Sequence, residues 1–263
     1  MLGVKKNNLD DDLLAHIRAG SGFPLVFIHG YLGGAKAWID QIQAFSQEFD
    51  VIAPELPGYG TSYHQKACTT IEGYANQVLD FLSKIDIQKF HLVGHSMGGM
   101  IAQHITKLAP ERVDCLICYG TGPLGMMPNR FETLDESRKR LRSDGVKSTA
   151  ERIASTWFIN GKHALRYQEC ASSNNNVTTE TALAGLKAME TWDGRDAMSS
   201  ICQKTLVLWG DRDQSYDWTQ PESLWTGIKE SSLAVMPDCG HNAHMENPEL
   251  FNSILRKFLP ARK

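Results

Sequence analysis

The chain has 263 residues, 42% of them hydrophobic and 22% charged, with a formal net charge of −3. It is long enough to bury a large core, as one domain or as a domain with a sizeable insertion, and its composition is that of an ordinary globular protein. So small a negative charge offers no basic surface for nucleic acid or an anionic membrane, and neither is expected as a partner.

Near the amino end, Asp10, Asp11 and Asp12 stand where a secretory signal needs an apolar run. No stretch approaches ~18 consecutive apolar residues, so no membrane span is predicted and the default compartment is the cytoplasm. Six cysteines (Cys68, Cys115, Cys118, Cys170, Cys202 and Cys239) are scattered rather than spaced as a disulfide framework. Cys115 and Cys118 form a C-x-x-C inside a strand-like run, where positions three apart face opposite sides. That predicts two core thiols, not a redox or zinc pair.

In chain order, "LLAHIRAGSG" (13–22) alternates weakly and predicts a strand toward a sheet edge. "PLVFIHG" (24–30), "DVIAPELPG" (50–58), "FHLVGHS" (90–96), "VDCLICYG" (113–120), "TLVLWGD" (205–211) and "SLAVMPDCGH" (232–241) are short apolar runs suited to strands buried on both faces. Helical spacing separates them at 38–48, 70–85 and 98–109. In the last of these, Met100, Ile101, Ile105 and Leu108 predict one apolar stripe, and Pro110 ends the helix. Near the carboxyl end Asn247 predicts an N-cap, with Pro248 in the first turn and an apolar face of Phe251, Ile254, Leu255 and Phe258.

Strand and helix alternating in this way predict an α/β protein with a mostly parallel, doubly wound sheet. Residues 121–200 break the rhythm with successive helical stretches and no clear strand. They predict a helical cap inserted after the sixth strand, over a core of 1–120 and 201–263.

The stretch "FHLVGHSMGGM" (90–100) places Ser96 between glycines, after a strand and before a helix. Ser96 is either a capping residue or a nucleophile on a strained corner whose hydroxyl stands clear of the sheet. A serine hydroxyl needs a base to take its proton, and that base needs an orienting carboxylate. "GDRD" (210–213) supplies the acid after one strand, and "GHNAH" (240–244) supplies the histidine after the next. Both lie at carboxyl ends of strands, where an open α/β sheet gathers its site.

Five stretches in order, "HGYLGG", "PELPGYGTS", "GHSMGG", "GDRD" and "GHNAHMENPELF", resemble the α/β-hydrolase superfamily over essentially the whole length. The resemblance implies Ser96 as nucleophile, Asp213 as acid with Asp211 as its rival, and His241 as base. It implies backbone amides of Tyr31 and Met97 as the oxyanion hole. His29, His95 and His244 are expected to be structural, Asp238 a turn residue and Cys239 a pocket-wall residue. Glu55 replaces the aspartate many relatives carry before Pro-Gly-x-Gly, and little effect on chemistry is expected.

"ERIASTWF" and "LKAMETWDGRDAMSSI" resemble the cap of 3-oxoadipate enol-lactonase-like hydrolases. This implies that Trp157 faces the site and that an arginine, Arg130 or Arg195, holds a substrate carboxylate. For Arg195 a surface or helix-end role competes. Of eight large cap residues (Met126, Met127, Phe131, Trp157, Phe158, Tyr167, Met189 and Trp192), two or three are expected to line the pocket. The expected reaction is two-step acyl transfer on a small to medium carboxylic ester or lactone. No metal or other cofactor is implied, because no His/Asp/Glu/Cys cluster shows ligand spacing. A carbon–carbon hydrolase of ring-fission dienoates is the alternative, although "HGYLGG" lacks the proline usual in that loop. Perhydrolase or haloperoxidase chemistry and a non-catalytic receptor follow. A monomer or small homo-oligomer is expected.

Overall fold

The computed structural model describes residues 13–127, 130–173 and 175–260, so Asp10, Asp11 and Asp12 lie outside it. Its strands are β1 (His16–Gly20), β2 (Pro24–Ile28), β3 (Asp50–Pro54), β4 (Phe90–His95), β5 (Val113–Tyr119), β6 (Lys204–Gly210) and β7 (Ser231–Met236). They form one sheet in the order β1-β3-β2-β4-β5-β6-β7. All neighbours run parallel except β1, which pairs antiparallel with β3 at the edge. Every residue of β3 and β4 is buried, which is why these runs are mostly apolar rather than alternating, with Asp50 paired to Arg18 at 2.6 Å.

Helices cover both faces. On one face, α1 (Ile39–Phe45) sends Ile42 and Phe45 into a core with Phe27, Val93 and Ile117. On the other, α2 (Ile71–Lys84) and α3 (Met97–Leu108) pack Val78, Leu82, Ile101 and Ile105 against Val26, Leu92 and Leu116. Cys115 belongs to the first core and Cys118 to the second, so the C-x-x-C is split across the sheet. The predicted stripe on α3 stops one turn short: Met100, Ile101 and Ile105 are buried but Leu108 is exposed.

Between β5 and β6 the chain runs through α4 (Leu134–Ser143), α5 (Gly145–Ser155), α6 (Tyr167–Ser172), α7 (Thr179–Glu190) and the short α8 (Arg195–Met198). A capping box of Thr133 and Glu136 starts α4. This helical insertion follows the fifth described strand rather than the sixth; a sixth would need a strand that the described residues do not contain. After β6 come α9 (Thr219–Gly227), then β7, α10 (Ala243–Glu246) and α11 (Pro248–Phe258). Asn247 caps α11 as its sequence predicts, Oδ1 accepting from the Leu250 N–H at 3.1 Å. The helix buries Phe251, Leu255 and Phe258, each contributing roughly 1.5–3 kcal/mol of apolar burial.

Candidate active site

Ser96 closes β4 and opens α3 with φ +56° and ψ −121°, a conformation that non-glycine residues rarely adopt. The turn is this tight because the sheet and the helix nearly touch. A Cβ on Gly94 would collide with the Gly98 carbonyl, and one on Gly98 with the Ile28 carbonyl.

The loop after β2 comes up against the same corner. A Cβ on Gly30 would lie 3.0 Å from the Ser96 Cβ. The turn Gly30–Gly33 is closed by the Gly33 N–H donating to the Gly30 carbonyl at 3.1 Å, with Leu32 at φ +55°. That leaves the N–H groups of Tyr31 and Met97 without hydrogen-bond partners among the described residues, beside the serine. The Tyr31 hydroxyl donates to the Ala182 carbonyl of α7 at 3.1 Å, tying this loop to the insertion.

Asp213 and His241 meet where the sequence places them. His241 Nδ1 donates to Asp213 Oδ2 at 2.8 Å, and both side chains are sealed from solvent. Asp213 Oδ1 accepts from the backbone N–H groups of Ser215 (2.7 Å) and Tyr216 (3.1 Å), so the carboxylate is fully engaged. Protonation of Nδ1 leaves Nε2 of His241 as the basic nitrogen. Asp211 takes the turn role, accepting from the Cys239 N–H at 3.4 Å.

Three rings enclose the imidazole: His95 at 4.5 Å, Tyr216 at 5.5 Å and stacked, and Trp157 at 5.9 Å between centroids. The His241 carbonyl accepts from Tyr119 Oη at 2.8 Å and His95 Nε2 at 3.1 Å. Burial, reinforced by the neighbouring histidines, holds His95 well below its ordinary value; it pulls His244 down to about 3. His29 is pulled down to about 4 by burial, and its Nε2 accepts from the Leu56 N–H at 3.0 Å. All three are neutral parts of the frame, as the sequence suggested. Glu55, raised by burial, accepts from the Ala35 N–H at 3.0 Å and fixes the neighbouring loop. Asp238 is an exposed turn residue at φ +49°. Cys239 is buried in the same core as Phe27, Val93 and Phe251 and is not among the residues lining the pocket, so it is not a wall residue.

A pocket beside Ser96 and His241 is lined by Tyr31, Met127, Arg130, Phe131, Ile153, Trp157, Met189, Ser215 and Tyr216. Four of the eight large insertion residues reach it, one or two more than expected; Met126 is exposed instead. Arg130 Nη1 is buried there without a hydrogen-bond partner among the described residues, and burial lowers its proton affinity. Arg195 does not reach the site: it is exposed and pairs with Asp193 at 2.6 Å. A larger cavity of about 430 Å³, between Phe158–Arg166 and α10, contains none of Ser96, Asp213 or His241.

A model of the alpha/beta hydrolase fold family matches residues 24–248. The chain belongs to the α/β-hydrolase fold family. It is 28% identical over 96% of its length to the dihydrolipoyllysine-residue acetyltransferase component of an acetoin cleaving system from Cupriavidus necator, covering 68% of that protein. It is 27% identical over 98% of its length, and 95% of the other's, to a 2-hydroxy-6-oxo-6-phenylhexa-2,4-dienoate hydrolase from Comamonas testosteroni. Among solved structures, a thermophilic esterase from Thermogutta terrifontis superposes with a TM-score of 0.84 and 27% identity, over 93% of this chain and 92% of that one.

Within this α/β hydrolase the sequence missed two features. Tyr216, three residues past Asp213, reaches Ser96, a placement with no sequence periodicity to reveal it. His91, Asp114 and Cys115 bring possible ligand atoms within 4.8 Å at the opposite end of the sheet, through the β4–β5 register. Lys89 Nζ already lies 3.4 Å from Asp114 there, so a cation is in place. No helix among the described residues is long and apolar enough to cross a membrane.

Proposed function

We propose that this α/β hydrolase cleaves a small to medium carboxylic ester or lactone through an acyl-enzyme on Ser96. The observation that carries the reading is the buried Asp213–His241 pair, with its free Nε2 beside a strained, pocket-facing serine. His241 takes the Ser96 proton as Oγ attacks the carbonyl carbon. The N–H groups of Tyr31 and Met97 stabilise the oxyanion, and Asp213 stabilises the imidazolium. Collapse of the intermediate returns the proton to the leaving alcohol, and water, deprotonated by His241, releases the acid.

The helical insertion serves as the cap, with Trp157 as its closest aromatic contact to His241. The open Arg130 Nη1, the one cationic side chain lining a largely apolar pocket among the described residues, supports a carboxylate on the substrate, and Arg195 is set aside for this role. Likeness to a dienoate hydrolase supports carbon–carbon cleavage as the second reading.

The test is turnover of p-nitrophenyl esters from acetate to decanoate by the wild type and Ser96→Ala. A burst and turnover that vanish in the variant support the acyl-enzyme, and the chain-length optimum sizes the pocket. A wild type inert to these esters and to lactones, yet active on a ring-fission dienoate, would replace the ester reading with the second one.

A further inference from the structure

One hydroxyl outside the proposed triad reaches the nucleophile. Ser96 Oγ donates to Tyr216 Oη at 3.5 Å, and among the described residues no hydrogen bond joins Ser96 Oγ to His241 Nε2. Beside this pair, Thr121 Oγ1 donates to the Ser96 carbonyl at 2.8 Å, which steadies the serine backbone while Oγ stays able to turn.

Tyr216 is the fixed member of the Ser96–Tyr216 pair. Its N–H donates to Asp213 Oδ1 at 3.1 Å, and its carbonyl accepts from Trp209 Nε1 at 2.9 Å. Its ring lies parallel to the His241 imidazole, 16° between planes. Ser96 Oγ, by contrast, turns about a single torsion. The phenol is neutral: burial pushes it up to about 12, although Ser96, Arg130 and Thr121 pull it back. It can therefore exchange hydrogen bonds but holds no negative charge that would compete with His241 as a base.

We propose that Tyr216 is a positioning residue that, in the free protein, holds Ser96 Oγ away from His241 until substrate returns it. Ser96 and Tyr216 line the same pocket, so a substrate that fills the pocket presses on their contact. When the contact breaks, the serine proton passes to His241 Nε2 as the bond from Oγ to the carbonyl carbon forms. Tyr216 keeps its own proton throughout. This inference rests on the serine-nucleophile reading above.

The test is the second-order rate of covalent labelling by phenylmethanesulfonyl fluoride, which reports serine attack without turnover. Tyr216→Phe keeps the ring and its stack on His241 and removes only the oxygen. The expected result is labelling about three- to fivefold faster, the worth of one long neutral hydrogen bond, with an unchanged shape of the pH–rate profile. Tyr216→Met also removes the oxygen while keeping a bulky apolar side chain, and labelling about twofold or more faster than wild type is expected.

Loss of a purely structural side chain would slow labelling. Slower or unchanged labelling of folded Tyr216→Phe therefore overturns the proposal. If thermal melts show that variant unfolded, the same outcomes for Tyr216→Met decide. A wild type that resists labelling altogether would overturn the serine-hydrolase reading itself, and this inference with it. Labelled wild type with no acceleration in the variants removes this inference alone.

Discussion

The strand ends and the helical insertion treat their buried charges differently. At the strand ends the Asp213 carboxylate accepts three hydrogen bonds, and the carbonyl of His241 accepts two. In the insertion, Glu132 is equally engaged, by Ser137, Arg140 and Arg152, none of which lines the pocket. Two residues earlier, Arg130 turns to the pocket and leaves Nη1 open. The strand ends are closed on themselves and hold geometry. The insertion is closed outside and open inside, which is what a surface meant to meet a ligand requires.

The comparison breaks most visibly at the nucleophile. Ser96→Ala is expected to lower kcat by about 10⁴-fold or more, and Asp213→Asn by about 10³–10⁴-fold, with folding retained. Steady-state ester hydrolysis beside thermal melts checks both. Residual activity near wild type would move the chemistry away from the strand ends.

Acid is expected to act next, and on the strand-end side. His29 and His244 are neutral in the fold, at about 4 and about 3, but titrate near 6.5 once unfolded. The unfolded chain binds more protons below pH 6.5. Stability is therefore complete above that pH and falls as pH drops toward 4 and 3. Each histidine accounts for at most roughly 3–5 kcal/mol. Melting temperatures at pH 7.5, 5.5 and 4.5 check this, and a flat profile refutes it.

Arg130→Met sharpens the other half of the comparison. KM for a carboxylate-bearing ester is expected to rise about 10- to 100-fold, while a neutral ester of equal length changes less than about twofold. Equal effects on both esters would make Arg130 a packing residue. The smallest expected effect is Glu132→Gln, which should destabilise by about 1–2 kcal/mol. It leaves Arg140 and Arg152 underpaired, but both are partly exposed. Chemical denaturation reads it, and unchanged kcat on a neutral ester would keep Glu132 out of the chemistry.

The readable half of the molecule is the half whose constraints are local. A serine between glycines after an apolar run announces the corner at 94–98 because the collision of backbone with any Cβ is decided within five residues. Asp213 and His241 are legible because each lies a few residues past the carboxyl end of a strand, and parallel strands bring such ends together. The C-x-x-C resolved correctly because a strand's period of two is rigid.

Tyr216 was not legible. Its hydroxyl meets Ser96 only because the loop after Asp213 bends back, pinned by two backbone bonds to that carboxylate. Arg130 and Arg195 look alike in sequence, each beside the start of a helical stretch. What separates them is Asp193, two residues before Arg195 and ready to pair with it, and a pocket that only the folded insertion creates. Leu108 failed for the same kind of reason: a helical period says which way a residue faces, not whether anything packs over it there.

The glycines at 94, 98 and 99 have a consequence for how such a protein changes over generations. None has room for a single methyl group, since a Cβ on Gly99 would strike Thr121 as surely as the other two would strike backbone carbonyls. Almost any drift at that corner is therefore purged as misfolding before its effect on chemistry is ever tried. In the insertion such locks sit at single glycines, Gly122, Gly125, Gly185 and Gly194, and variation between them repacks a wall rather than breaking a hinge. A lineage seeking a new substrate is steered to keep its cutting edge and refit the mouth around it.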